Sequence, residues 1–154
     1  MKALSLKPEW AMPVLLDMKT IECRTWQTSY RGDLLICSSA KPLPGTIAGY
    51  ALCVAELLGI EPFGMEHLEA ACLESMPSNA YAWQLGEIKW IEPFKQKGKL
   101  NLFDVDNNLI KYLPDDLTCR ECLETYYEPL LTMKNHDVSE QETRTWWKTI
   151  LADF

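Results

Sequence analysis

The chain has 154 residues, 47% apolar and 10% aromatic, which is enough apolar matter to build a core and excludes wholesale disorder. Its longest apolar runs are too short for a membrane span, and Lys7 and Glu9 interrupt the stretch where a secretion signal needs an apolar segment, so a soluble, cytoplasmic protein is expected. The formal net charge of −7 argues against non-specific nucleic-acid binding through bulk charge, and no sequence-specific DNA binding is expected.

The first part of the chain predicts short strands and one short helix. Apolar residues alternate in KALSLK, recur at helical spacing in EWAMPVLLDM and run together in DLLIC. The predicted elements are a strand over 2–7, a helix over 9–18, an extended segment over 19–26, a turn over 27–33 and a buried strand over 33–40.

The middle of the chain predicts longer elements. The β-branched and aromatic residues of TIAGYALCVAELLGI, with an internal glycine, are typical of a bent strand, and the Glu-rich MEHLEAACLESM is typical of a surface helix. The predicted elements are a strand over 46–60, a helix over 65–76, two short strands over 81–94 interrupted at Gly86, and an alternating strand over 97–106.

After about residue 112 the pattern becomes helical. Segments 115–132 and 139–152 begin with acidic residues, which suit helix N-termini, and Ser139-Glu-Gln-Glu142 forms a capping box. Several short strands before this point predict an α+β fold, a small mixed β-barrel with peripheral helices. We therefore predict a barrel domain over residues 1–110 and a helical C-terminal extension over 111–154, packed on the barrel.

Charge is distributed unevenly along the chain. Residues 1–50 carry six Lys/Arg and four Asp/Glu, whereas residues 105–154 carry five Lys/Arg and ten Asp/Glu. The acidity therefore lies outside the N-terminal segment, and a locally positive cleft there is compatible with the overall charge.

Three charges, Lys19, Glu22 and Arg24, fall within six positions of the stretch DMKTIECRTW. Lysine and arginine donate to phosphate, and glutamate accepts from a base amino group such as N4 of cytosine or holds a neighbouring cation. The alternative interpretation is a surface ion-pair cluster of little energetic value, and spacing alone favours it. Aromatic residues that can stack an unpaired base stand nearby in the sequence or on later strands: Trp26, Tyr30, Tyr81 and Trp83.

Two further features leave alternatives open. Arg31, in the turn before a buried strand, either faces a phosphate or belongs to a plain turn in which Gly32 supplies a positive φ. Cys119-Arg-Glu-Cys122 is a CxxC, but no second CxxC or suitably spaced histidine pair completes a zinc site, so no metal or cofactor is predicted. Both cysteines are expected to pack as core residues of the predicted helix.

The stretch Asp17-Met-Lys19-Thr-Ile-Glu22-Cys-Arg24 resembles the Gly-x-Lys-x-x-Glu-x-Arg hallmark of the ASCH domain, a relative of the PUA-like RNA-binding folds. The SYRG turn and the KGKLNLFDV segment strengthen the resemblance, which covers residues 2–106 and not the C-terminal helices. Asp17 replaces the family's glycine, and aspartate is among the better non-glycine residues for a left-handed turn.

The resemblance implies a PUA-like barrel whose cleft beside DMKTIECR binds single-stranded RNA or a modified nucleoside or nucleotide. The expected ligand-binding residues are Lys19, Glu22, Arg24, Tyr30, Arg31, Tyr81 and Trp83. The first alternative is an enzyme resembling the N4-acylcytidine amidohydrolases or a weak ribonuclease, with Lys19 and Thr20 as catalytic candidates. Glu22 stands where the amidohydrolase-like members place a threonine nucleophile. The second alternative is a protein-interaction module that acts through the helical tail.

Overall fold

The computed structural model describes residues 1–154 as a mixed α+β protein with one six-stranded sheet. The strands are β1 (Lys2–Leu6), β2 (Ile21–Arg24), β3 (Gly32–Ser38), β4 (Tyr50–Pro62), β5 (Tyr81–Lys95) and β6 (Phe103–Asp104). The helices are α1 (Pro8–Leu15), α2 (Cys119–Cys122) and α3 (Glu140–Leu151), and α2 continues as a π-helical turn over Leu123–Tyr127 and a 3₁₀ turn over Glu128–Leu130. No helix has the length and apolar character that crossing a membrane requires.

The sheet has the strand order β2-β5-β4-β3-β1-β6. Only β1 and β3 pair in parallel, and α1 lies in the connection between them together with β2; all other neighbours are antiparallel. The two end strands, β2 and β6, do not pair with each other, so the sheet is open. The predicted α+β class is confirmed, whereas closure into a barrel is not.

The long antiparallel pair β4–β5 forms the centre of the sheet. β5 is one continuous strand, so the prediction of two strands broken at Gly86 is wrong. Leu57 pairs with Leu85 and Ala55 with Ile88, so β5 has one more residue than β4 between these pairs. A β-bulge absorbs the extra residue and bends the strand without ending it.

The predicted helix over 65–76 is also wrong, since only Met65–His67 forms a 3₁₀ turn. The backbone of this segment bonds elsewhere: the Ala70 carbonyl accepts the N–H of Thr20 and of Ile21. A positive φ of 57° at Cys72 is incompatible with a continuing helix. The amphipathic pattern is real, but tertiary hydrogen bonds determine the backbone conformation here.

The predicted strand over 97–106 shrinks to the two residues of β6. Asn101 has a positive φ of 58°, which breaks an extended conformation. At Gly98 an added Cβ would collide with Ser5 Oγ, so the loop lies directly against β1. The loop thus has a specific position beside β1 even though it is not a strand.

The main core cluster contains 21 buried residues and includes side chains from α1, the sheet and the C-terminal segments. The side chains that follow residue 111 in this cluster are Leu123, Tyr127, Leu131, Trp147 and Leu151. The Trp90 indole N–H donates to the Leu15 carbonyl over 2.9 Å and so satisfies one carbonyl at the C-terminus of α1. The same core therefore holds helices from both ends of the chain.

Tyr127 connects the C-terminal segment to the centre of the sheet. Its hydroxyl lies 2.8 Å from the Leu52 carbonyl and 2.9 Å from the Ile91 carbonyl, in a fully buried position. Leu52 lies where the β4–β5 register shifts and has no paired residue on β5. Burial raises the pKa of the Tyr127 phenol, and the hydroxyl stays protonated as a donor to this bulge.

Tyr127→Phe is expected to lower the free energy of unfolding by about 2 kcal/mol, because the two buried carbonyls that share the one hydroxyl proton lose their donor and the Ile91 N–H loses its acceptor. Urea denaturation followed by tryptophan fluorescence measures this change. Tyr126→Phe is the matched control, since Tyr126 is only half-buried and makes no side-chain hydrogen bond. Equal effects of the two substitutions would contradict the role given to the Tyr127 hydroxyl.

Stability is expected to fall at high pH through the buried thiols. Burial raises the pKa of Cys37 from 9.0 to about 12 and raises that of Cys53 as well. The folded-state pKa lies above the unfolded value, so this stabilisation is complete below pH 9 and is lost as pH rises towards 12. Each thiol contributes a slope of up to about 1.4 kcal/mol per pH unit in that window.

Cys37→Ala is expected to make this pH dependence shallower, measured as unfolding free energy between pH 8 and pH 11. Cys72→Ala, at an exposed cysteine, is the control and is expected to leave the slope unchanged. Parallel slopes for the native protein and Cys37→Ala would refute the assignment.

Candidate functional site

A cavity of about 750 Å³ lies between β1, the start of α1, β2 and the loop 97–101. We call it the basic cavity. It adjoins the stretch DMKTIECR. Five basic side chains and one carboxylate line it, a net charge of +4 in a chain whose total is −7. These residues are Lys7, Lys19, Arg24, Lys97, Lys99 and Glu22.

The turn between α1 and β2 directs Lys19 into the protein. Asp17 adopts a left-handed conformation with a φ of 59°, the conformation for which glycine is usual and aspartate is tolerated. The N–H groups of Met18 and Lys19 then both donate to the Pro13 carbonyl, over 2.8 and 3.0 Å. This closes the end of α1 and starts the path into β2.

Lys19 is a buried cation with only 1% of its surface exposed. Its ammonium donates to the Ala71 carbonyl over 2.6 Å and lies 3.7 Å from Glu22 Oε1. The ammonium also lies 5.0 Å from the centre of the Trp10 ring, within cation–π range. A buried ammonium requires such partners, since desolvation without them costs several kcal/mol.

Glu22 lies between the two cations. Its Oε2 is 3.3 Å from Arg24 Nη2, and its Oε1 also accepts the N–H of Cys23 over 3.0 Å. Because Glu22 and Lys19 are buried, the alternative of a solvated surface ion-pair cluster does not describe this group. Lys19, Glu22 and Arg24 therefore form an ion triad in the wall of the basic cavity.

Arg24 has an incomplete set of partners. Nη2 donates to the Ser5 carbonyl over 2.8 Å and so ties β2 to β1. Nε is the one buried side-chain nitrogen or oxygen in the protein that has no hydrogen-bond partner. An unsatisfied buried donor costs about 1–3 kcal/mol, and a group of this kind beside a cavity is consistent with a site that a ligand completes.

Cys23 also lines the basic cavity. Burial raises the pKa of its thiol, the nearby Glu22 carboxylate raises it further, and the cations Lys19 and Arg24 lower it by less than the total rise. The thiol is therefore neutral near pH 7, and a neutral thiol is a poor nucleophile.

The other residues expected at the site lie elsewhere. Tyr30, Arg31, Tyr81 and Trp83 do not line the basic cavity. Arg31 donates to carbonyls of its own turn, those of Thr28 and Tyr30, which fits the plain-turn interpretation.

Trp83 is fully buried, and its indole N–H donates to the Trp26 carbonyl over 3.1 Å. Its ring contacts Trp26 edge to face, with centroids 4.8 Å apart. Trp26 itself is half-buried and lines the basic cavity. Trp83 therefore packs behind Trp26, and Trp26 is the ring that faces the basic cavity.

Thr20 is separated from Lys19 although the two are adjacent in sequence. Its side chain is exposed and lines a different cavity, beside β5. The two catalytic candidates therefore face different cavities.

The structure adds residues that the sequence patterns did not single out. Trp10, expected only to mark helical spacing, faces Lys19 and lines the basic cavity. Lys97 and Lys99 flank Gly98, which packs on β1, and their charges lie at the cavity. The lysine-rich segment KQKGK is the signal that could have identified them.

The two cysteines of the CxxC have different environments. Cys122 is buried, but Cys119 is exposed, so the expectation that both pack in the core is wrong for Cys119. α2 is only one turn long, and Cys119 at its first position lies outside the core.

Comparisons with known proteins agree with the fold. A family model described as the ASCH domain matches residues 4–105. A crystal structure of an ASCH protein from Zymomonas mobilis has a TM-score of 0.55 at 17% identity, covering 70% of this chain and 88% of that chain. The crystal structure of a serine-to-alanine mutant of the Zymomonas mobilis protein has a TM-score of 0.54 at 15% identity, and the match covers 71% of this chain and 96% of that chain. No curated protein matches the sequence.

Glu22→Gln is expected to lower the free energy of unfolding by about 3 kcal/mol, because it leaves two cations without their counter-charge. Glutamine has the same size as glutamate and keeps an oxygen that accepts the Cys23 N–H, so the decrease in the free energy of unfolding measures the effect of removing the negative charge. Chemical denaturation at neutral pH measures it. Glu56→Gln, at an exposed carboxylate of β4, is the control and is expected to change stability by less than about 0.5 kcal/mol. Loss of less than about 1 kcal/mol in Glu22→Gln would refute the triad as a structural element.

Proposed function

The chain belongs to the ASCH domain family, and from that membership we propose that it binds single-stranded RNA, with an unpaired nucleotide in the basic cavity. The observation that carries the proposal is the concentration of positive charge: a net of +4 at one cavity of a chain whose total is −7. A cleft lined by one sign of charge raises the local concentration of an oppositely charged ligand.

The exposed lysines at the cavity favour a phosphate-bearing ligand. Lys7, Lys97 and Lys99 are all exposed and come from two separate segments, the β1–α1 junction and the loop 97–101. Their ammonium groups can follow a phosphate backbone, which provides most of the affinity in non-specific nucleic-acid binding. A free nucleoside has no phosphate and would leave these three charges unused.

The deeper part of the cavity has the groups that a base requires. Trp10 and Trp26 are half-buried aromatic residues in its lining, and base–aromatic stacking is worth about 1–3 kcal/mol per base. Glu22 presents a carboxylate that can accept from a base amino group. The volume of about 750 Å³ lies within the range of ordinary small-ligand sites.

Binding is proposed in preference to catalysis. The ammonium of Lys19 already contacts a carbonyl, a carboxylate and an aromatic ring, and Thr20 faces another cavity. No observation therefore favours a catalytic arrangement in which one of these two residues is the nucleophile and the other is its general base.

We also propose that residues 111–154 serve as an extension packed on an ASCH unit of residues 1–110. None of the residues that line the basic cavity lies beyond residue 101. The extension instead stabilises the sheet, through contacts such as the Tyr127 hydroxyl with Leu52 and Ile91.

Lys97→Ala/Lys99→Ala is expected to weaken binding of a fluorescein-labelled single-stranded RNA at least tenfold, measured by anisotropy. The slope of log affinity against log salt concentration is expected to become shallower by about 1.4, since each phosphate contact on a single strand contributes about 0.7. These lysines are exposed, so the substitution does not disturb the buried ion triad.

Lys89→Ala/Lys111→Ala is the matched control, because it removes the same charge at exposed positions outside the basic cavity. It is expected to retain nearly native affinity and slope. Equal losses in the two double variants would show that only bulk charge matters and would refute the cavity as the binding site.

A further inference from the structure

A second cavity, of about 1030 Å³ and here called the acidic groove, lies beside β5 and shares no lining residue with the basic cavity. Residues 85–90 of β5 and residues of the segment 112–117 form most of it, together with Asp17 and Thr20. The family motif does not account for this groove, because only Asp17 and Thr20 of the motif reach it.

The groove exposes a gap in the pairing of β5. β2 ends its contact with this strand at Leu85, whose N–H donates to the Thr20 carbonyl over 2.9 Å. Pairing on the same edge resumes at Trp90, whose carbonyl accepts the Leu113 N–H over 3.1 Å. No strand lies beside this edge over the residues between, 86–89.

The backbone of Ile88 faces this gap. Backbone polar groups of a strand alternate between its two edges, so those of Ile88 point the same way as the Trp90 carbonyl. An edge with free N–H and C=O groups is a template for an added strand. The distance to be covered is about four residues, or roughly 13 Å of extended chain.

The side chains that line the groove indicate which charge and polarity an added strand would need. Three carboxylates line it, Asp17, Glu87 and Asp115, against one cation, Lys89, which already lies 6.0 Å from the centre of the Tyr112 ring. Nine of its 16 lining residues are hydrophobic, which gives apolar contact area for alternate side chains of a strand. The negative charge disfavours RNA and favours a basic segment.

We propose that the acidic groove binds an extended segment of a partner protein, with alternating basic and apolar residues, as an added strand at Ile88 of β5. Its main chain pairs with the free edge between Leu85 and Trp90. Its apolar side chains contact the groove, and its basic side chains face Glu87 and Asp115. The protein thereby holds an acidic ligand and a basic one at separate cavities.

The test begins with a phage library of random ten-residue peptides, selected on the full chain. Enriched peptides are expected to alternate Lys or Arg with apolar residues. An enriched peptide, made synthetically, is then titrated by calorimetry. Glu87→Lys/Asp115→Lys is expected to weaken binding at least tenfold, whereas the control Glu92→Lys/Asp116→Lys, at exposed carboxylates outside the groove, retains it.

Amide hydrogen exchange provides the second measurement. The peptide is expected to protect the Ile88 amide, and N-methylation of alternate peptide residues is expected to abolish binding. The proposal is overturned if no peptide is enriched, if the two double variants lose affinity equally, or if the methylated peptide binds as well. It is also overturned if RNA, or dimerisation of the chain in sedimentation, protects Ile88 in the absence of peptide.

Discussion

The ion triad formed by Lys19, Glu22 and Arg24 is the interaction on which the basic cavity depends. Two of its members tie other parts of the chain to β2 and the turn before it: Lys19 holds the segment after β4 through the Ala71 carbonyl, and Arg24 holds β1 through the Ser5 carbonyl. Glu22 compensates both cations in a place where neither is well solvated. Burial makes this arrangement costly to break, because removing one member leaves the others without partners.

The acidic composition of the chain conceals a separation of charge. Basic residues gather at one cavity, while Asp17, Glu87 and Asp115 lie at another. Net charge alone would have argued against a nucleic-acid ligand. A ligand at the basic cavity responds mainly to the charges closest to it, because at physiological salt the field of an exposed charge is screened over about 8 Å.

Local patterns predicted the elements whose environment is uniform. β1, β3 and β4 appear where alternation or apolar runs placed them, and α3 begins at the expected capping box, in which Ser139 and Glu142 bond each other's backbone. The segment 65–76 fails because Ala70 and Ala71 give their carbonyls to Thr20, Ile21 and Lys19 rather than to a helix. Such partners are about 50 residues away in sequence, so no local rule detects them.

The sequence by itself determined the family and the approximate position of the site, because the spacing of Lys19, Glu22 and Arg24 and the flanking strand patterns are local features. Only the tertiary structure decided which side chains meet there. It brought Lys7, Trp10, Lys97 and Lys99 to the cavity, buried Trp83 behind Trp26, and left Tyr30, Arg31 and Tyr81 outside the lining. The physical reason is that strand pairing and close backbone approach, as of Gly98 to Ser5, set distances between residues that are remote along the chain.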